Sequence, residues 1–212
     1  MRASVGNMRG DLAGWAAALL LLLLLSGLWS APAAAGPAGI FIERLGNEAI
    51  NVLGNAALDQ KEREGQLRRL LNDGFALNAI AQFTLGRYWR TASPEQQAEF
   101  RRLFEELVVK TYAARLSNYA GETLMVTDEK PDGETGSVVT TNIVRPSRPT
   151  VKIQWRVRPV GEGYKIVDVV AEGVSMALTQ QSEFAAVIRA RGGEVEGLLD
   201  DMREKVAAGK AP

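Results

Sequence analysis

The chain has 212 residues, with 25 Lys and Arg against 25 Asp and Glu, and contains neither histidine nor cysteine. Those two absences exclude the common metal sites, every His-based triad, every thiol nucleophile and any disulfide staple. The even charge balance lacks the cationic surplus that displaces counterions from phosphates, so no nucleic-acid partner is expected.

The first residues show the three zones of a secretory signal: Arg2 and Arg9, an apolar run from Trp15 to Leu25, and a small-residue stretch ending Ala33-Ala34-Ala35. Cleavage after Ala35 is expected, leaving Gly36 first. A retained anchor is the rival reading, but a spanning helix needs about 20 apolar residues, and Ser26, Gly27 and Pro32 interrupt the run before that. Lipoprotein anchoring would require a cysteine, and no later stretch is apolar and long enough to span a bilayer. Taking Arg2 and Arg9 from 25 leaves 23 basic residues, and taking Asp11 from 25 leaves 24 acidic ones. Residues 36–212 are read as one domain, long enough to bury its own core.

Helical spacing comes next. Phe41, Leu45, Ala49, Val52 and Ala56 form one face, flanked by Ile42 and Leu53, and Gly54-Asn55 ends it. Asp59 with Glu62 three residues on predicts a capping box for a second helix carrying Leu67, Leu70, Leu71 and Phe75. A short helix is predicted over Asn78 to Leu85. Ser93-Pro94-Glu95-Gln96 is a strong start signal, since Ser93 can cap, Pro94 suits the first helical position and Gln96 can reach back. The long helix that follows is predicted to run to about Tyr119, with a stripe of Phe100, Leu103, Phe104, Leu107, Thr111 and Ala114. Val108, Tyr112 and Tyr119 widen the stripe, and Val109 and Leu116 lie nearly opposite, so this helix is expected to touch protein on two sides.

After Gly121 the period changes to 2. Strands are predicted over Glu122 to Glu129, Ser137 to Val144, Thr150 to Arg158 and Tyr164 to Ala171, with short turns at Pro131-Asp132-Gly133, Pro146 to Pro149 and Gly161-Glu162-Gly163. Short turns imply antiparallel pairing. Val151, Ile153, Trp155 and Val157 alternate with Lys152, Gln154, Arg156 and Arg158, giving an apolar and a charged sheet face. Helices return over Met176 to Ala190 and Glu194 to Val206. The fold class is α+β: a curved antiparallel sheet of about four strands packed against N-terminal and C-terminal helices.

Few residues suggest catalysis. Gly173-Val174-Ser175-Met176-Ala177 resembles a nucleophile elbow but lacks its closing glycine and a histidine partner. Asp168, between Val167 and Val169, is the most interesting lone acid; it is placed on the sheet's inner side with Ile166 and Val170, and a structural role is favoured. Asp200-Asp201 point in different directions on a helix and make no acid/base pair. Arg87, Arg90, Arg101 and Arg102 cluster near the start of the long helix, where a lipid phosphate, a partner or plain solvent can meet them. Trp89, Trp155, Tyr88, Phe104 and Tyr112 fit a cavity wall and an ordinary core equally well.

Taken in order, several segments resemble the toluene-tolerance family, the MlaC-type periplasmic phospholipid-binding proteins. They are Leu85-Gly86-Arg87-Tyr88-Trp89-Arg90, Ser93-Pro94-Glu95-Gln96-Gln97 leading into Phe100, Tyr119-Ala120-Gly121-Glu122, and Val169-Val170-Ala171-Glu172-Gly173-Val174-Ser175 followed by Phe184 and Ile188. A hopanoid-associated branch has the same general pattern. The resemblance implies a monomeric, non-enzymatic carrier in the periplasm, with bound phospholipid and no cofactor. Its implied partners are an outer-membrane lipoprotein complex and an inner-membrane ABC transporter assembly; a protein-binding adaptor or chaperone is the alternative. It also implies an apolar pocket between helices and sheet. Candidate lipid contacts are Phe83 and Tyr88, then Phe104, Val108 and Tyr112 on the long helix. On the sheet they are Leu124, Val126, Val139 and Ile143, with Ile153, Trp155, Val157 and Ile166.

Overall fold

Helical and strand periods divide the chain where the sequence changes from one to the other. The computed structural model describes residues 35–55, 57–116, 121–146 and 148–208, without the side chains of 114–116. Residues 1–34, Ala56 and Tyr119 therefore lie outside the described residues, as do the side chains of Ala114 and Leu116. The described residues form one compact unit. The N-terminal helices are α1 (Pro37–Gly54), α2 (Gln60–Gly74), α3 (Leu77–Leu85), a 3₁₀ turn (Gly86–Arg90) and α4 (Pro94–Leu116). The strands are β1 (Thr123–Asp132), β2 (Gly136–Arg145), β3 (Arg148–Val160), β4 (Gly163–Ala171) and β5 (Val174–Ser175), and the chain closes with α5 (Met176–Ala190) and α6 (Val195–Ala207).

Both expected capping boxes form. Glu62 N donates to Asp59 Oδ1 at 2.8 Å while Asp59 N donates to Glu62 Oε2 at 2.9 Å, which starts α2. At α4, Gln96 N donates to Ser93 Oγ at 3.2 Å and Ser93 N donates to Gln96 Oε1 at 3.1 Å. In each case the exchange satisfies two backbone donors at the helix start that have no partner within the helix.

The strands form one antiparallel sheet in the order β1-β2-β3-β4-β5. The fifth strand is an addition to the sequence reading. It follows a turn in which Glu172 (φ 49°) and Gly173 (φ 83°) both take positive φ, and its two residues are too short to show alternation. β1 runs through Pro131, where a turn was expected; it is an edge strand, which tolerates a missing N–H.

Two bulges set which side chains face the helices. In β1, Val126 pairs with Thr141 and Asp128 with Thr140, leaving Thr127 as an extra residue. In β4, Ile166 pairs with Val157 and Asp168 with Arg156, leaving Val167 extra. Each bulge shifts the alternation by one. Glu129 and Ile166 thus join the helix-facing side, and Asp168 pairs with outward-facing Arg156 rather than sharing the inner face with Ile166.

Two main cores result. Phe100, Leu103, Phe104 and Leu107 of α4 pack with Ala81 and Leu85 of α3, Phe184 and Ile188 of α5, and Leu198, Leu199 and Met202 of α6. Phe184 meets Phe100 edge-on, with centroids 5.5 Å apart at 82°, an arrangement favoured by the ring quadrupoles. The second core lies under α1, where Ala38, Phe41, Ile42 and Leu45 meet Val139, Val157 and Ile166 of the sheet. On another side of α4, Val109 packs on Leu67 and Leu71 of α2. Two-sided burial of the long helix is thereby explained.

The start of α1 has no side-chain cap from Gly36 and no acidic residue in its first turn. The missing acceptor comes from the sheet: Glu129 Oε2 accepts from Gly39 N at 2.7 Å. The C-terminal end of α2 receives a cation in return, with Lys165 Nζ donating to the carbonyls of Asn72 and Asp73 at 2.8 and 2.7 Å. Both contacts match charge to the helix dipole.

Candidate functional site

Ladder pairing fixes the inner face of the sheet. Trp155 lies opposite Val139 and Val169, Ile153 opposite Thr141 and Ala171, and Val151 opposite Ile143. Lys152 and Arg156 are exposed and Arg158 partly so, whereas Val157 is buried and Ile153 and Trp155 are half-buried. The charged and apolar faces fall as the alternation requires.

The inner face is not uniform. Val139, Val157 and Ile166 are each 0% exposed, closed over by α1. All three are among the candidate lipid contacts, and here they pack against α1. Inward orientation does not distinguish a wall from a core; the helix that covers that half of the sheet does. Leu124, Val126 and Trp155, on the same face, are half-buried against that core, and Ile143 and Ile153 are half-buried beside it. Trp155 donates its indole N–H to Thr141 Oγ1 at 2.9 Å, and Thr141 is itself fully buried. With its one polar group satisfied, the indole behaves as an apolar surface. Thr141 was not anticipated, because a threonine in a strand gives no sign of a partner two residues along the neighbouring strand.

α4 packs along α2, α3 and α6, while the helix contacts of the strands run mainly to α1, α2, α3 and α5. Val108 is half-buried between the helical core and the α2 contact, and Tyr112 is 36% exposed. Phe104 is buried in the helical core against Phe100 and Phe184. Phe83 and Tyr88 belong to another neighbourhood. The Phe83 carbonyl accepts from Gln181 of α5 at 2.6 Å, and the Tyr88 hydroxyl accepts from Arg87 at 3.0 Å.

The polar groups are structural. Asp168 accepts from Ser175 Oγ at 2.6 Å and Ala177 N at 3.1 Å, while Ser175 Oγ accepts from Leu178 N at 3.1 Å. The serine that resembled an elbow is the cap of α5. On the outer face, Arg158 and then Arg156 hold the Asp132 carboxyl below the usual carboxylate range through hydrogen bonds, at contacts of 2.8 and 3.1 Å. A depression of about 390 Å³ on that face is lined by Thr127, Lys130, Asn142, Lys152 and Gln154 among others, which is unsuitable chemistry for an acyl chain. No group of three or more acidic side chains among the described residues is placed to hold a metal ion, and no described helix is long and apolar enough to cross a membrane.

Residues 43–204 match the family described as MlaC protein. The chain belongs to the MlaC family. Among relatives, the intermembrane phospholipid transport system binding protein MlaC of Haemophilus influenzae is 25% identical over 127 residues, covering 58% of each chain. Toluene tolerance protein ttg2D of Pseudomonas putida is 22% identical over 124 residues, again covering 58% of each. The matched region thus spans little more than half the length of either relative. A phospholipid-binding protein of Ralstonia solanacearum, solved in complex with a phospholipid, superposes with a TM-score of 0.71 at 24% identity, covering 82% of this chain and 99% of that one. The likeness shows that the MlaC fold is shared.

Proposed function

We propose that this MlaC-family chain is a carrier that holds phospholipid acyl chains between the uncovered part of the inner sheet face and α4. The observation that supports the reading is a half-buried apolar strip: Ile143 and Ile153 continue the inner face beyond the core that α1 closes, with Leu124 and Trp155 packed at its margin. Val108 and Tyr112 supply the opposing wall. The names of the two relatives and the phospholipid in the Ralstonia solanacearum structure agree with this chemistry. Two acyl chains of about sixteen carbons represent on the order of 25 kcal/mol of unfavourable exposure at about 0.8 kcal/mol per CH₂, so a lipid leaving a membrane requires such a container.

In this reading residues 1–35 are a signal peptide removed on export, and residues 36–212 work in the periplasm. There the carrier moves lipid between an outer-membrane lipoprotein complex and an inner-membrane ABC transporter assembly, without chemistry of its own. Native mass spectrometry of the exported protein tests both parts. The expected species begins at Gly36 and carries phospholipid; protein that emerges free of lipid would remove the carrier reading. Val108→Glu is expected to retain a cooperative melt and lose the copurified lipid, since a half-buried wall position leaves the new carboxylate access to water. Folded Val108→Glu protein that keeps its lipid would take this wall out of the site.

A further inference from the structure

The 3₁₀ turn and its surroundings carry a group of arginines that form no ion pair with a carboxylate among the described residues. Arg44, Arg68, Arg102, Arg156, Arg191 and Arg203 each lie within 4.0 Å of an Asp or Glu, as does Arg158. Arg87, Arg90, Arg101 and Arg189 are exposed and meet no carboxylate among the described residues. The Arg87 guanidinium lies 5.0 Å from the Tyr88 ring centroid, and that of Arg101 lies 4.7 Å from the Trp89 centroid. Arg87, and then Arg189, hold the Tyr88 phenol below its ordinary value, a sign that this corner is electropositive. Beside these residues runs a groove of about 660 Å³, with Arg87, Tyr88, Arg90 and Gln96 on its wall and Glu194 as an acidic member.

Apolar side chains are exposed on the two helices, α3 and α5, that lead into the groove. Phe83, one helical turn before Arg87, is 46% exposed, and Leu178 on the neighbouring α5 is 54% exposed. Gln181, one turn beyond Leu178, bonds the Phe83 carbonyl and so ties the two helices together there. Guanidiniums laid on aromatic rings beside exposed apolar side chains match a lipid headgroup layer, which offers phosphates above and acyl chain below. An acidic protein surface would pair with the arginines but give Phe83 and Leu178 nothing to enter. Since the whole chain balances 25 cationic against 25 anionic side chains, the patch is a local concentration and does not reflect overall charge.

We propose that the groove formed by the 3₁₀ turn, the start of α4 and the α5–α6 turn is a docking surface for an anionic phospholipid membrane, with Arg87, Arg90 and Arg189 on lipid phosphates and Phe83 entering the headgroup layer. This site is separate from the inner sheet face and does not depend on what that face holds.

Cosedimentation of the exported protein with vesicles tests it, comparing pure phosphatidylcholine with phosphatidylcholine containing about 30% phosphatidylglycerol. Binding to the anionic vesicles only is expected, and raising the salt through the range where surface charges are screened should weaken it. Each arginine near an anionic surface is worth about fivefold in affinity, so R87Q/R90Q/R189Q should lose on the order of a hundredfold. Arg44→Gln, a remote and ion-paired arginine, should change nothing. A second measurement avoids the triple variant. Cleavage after Ala35 leaves only Trp89 and Trp155, so in Trp155→Phe the fluorescence reports Trp89 alone, and brominated anionic vesicles should quench it. Equal binding to neutral vesicles, undiminished binding by a folded triple variant, or unquenched Trp89 in bound protein would each overturn the proposal. Soluble polyglutamate that binds the groove when anionic vesicles do not would overturn it in favour of an acidic protein partner. Loss of copurified lipid with vesicle docking intact would bear on the carrier reading alone.

Discussion

Replacing Glu129 by alanine removes the carboxylate that accepts from the buried start of α1, and the cost follows from the contacts. Gly39 is buried, its N–H donates to Glu129 Oε2 at 2.7 Å, and neither Gly36 nor a first-turn acid can take over. Leaving a buried donor without its charged acceptor costs about 1.5–3 kcal/mol, and losing the carboxylate from the helix N-terminus costs about 0.3–1 kcal/mol more. Glu129 is only half-buried, so solvent reaches part of the site and the lower end applies: about 2 kcal/mol for Glu129→Ala. Glu129→Gln keeps an acceptor oxygen and loses the charge, for about 1 kcal/mol. Urea titration should show the midpoint falling in that order with little change in slope, and thermal melts should drop by about 2–4 °C per kcal/mol. An alanine variant within about 0.5 kcal/mol of the parent, a difference typical of surface substitutions, would mean that water serves Gly39 as well and that the strand does not cap this helix.

Val157→Glu places a carboxylate in the closed core beneath α1, a cost of several kcal/mol against a total stability of about 5–15 kcal/mol; circular dichroism should show unfolded protein, and a melt like the parent's would show that this half of the face is open. Acid stability should depend on Arg203, whose hydrogen bonds are the first cause holding Glu99 and Glu196 below their ordinary value of 4.5. Folded-state values below the unfolded ones mean the contribution is complete above the unfolded value and is lost as pH falls through the folded ones. Melting temperature should therefore fall below about pH 4.5, and Arg203→Gln should make that decline shallower; an unchanged acid limb would show that solvent screens these pairs fully.

Legibility in the sequence followed how local each determinant is. Capping at Asp59 and Ser93 involves residues three apart, and both boxes form as read. The double-sided apolar pattern of α4 correctly demanded two packing partners, which proved to be α2 on one side and the C-terminal helices on another. Alternation in β3 fixed the faces of Lys152 and Trp155. What failed was alternation carried through a bulge: Thr127 and Val167 have ordinary strand composition, and nothing local shows that either is an extra residue. Asp168 was consequently set beside Ile166, and Glu129 was passed over. Within the candidate site, Trp155 and Val157 looked equivalent because both point inward. They differ in how completely the core under α1, about 110 residues earlier in the chain, encloses them: Val157 is buried in it and Trp155 is half-buried against it.

The pairing of the helices across the sheet also constrains when this protein can fold. Each sheet hairpin joins strands adjacent in the chain, so loop closure there is short. The helical core instead joins α4 to residues about a hundred positions later, as in the Arg203–Glu99 and Gln96–Glu196 contacts. Phe100, Leu103 and Leu107 cannot be covered until Leu198, Leu199 and Met202 have been synthesised. Closing so long a loop is slow compared with hairpin formation. The growing chain accordingly lacks one of its two main cores until α6 has been made.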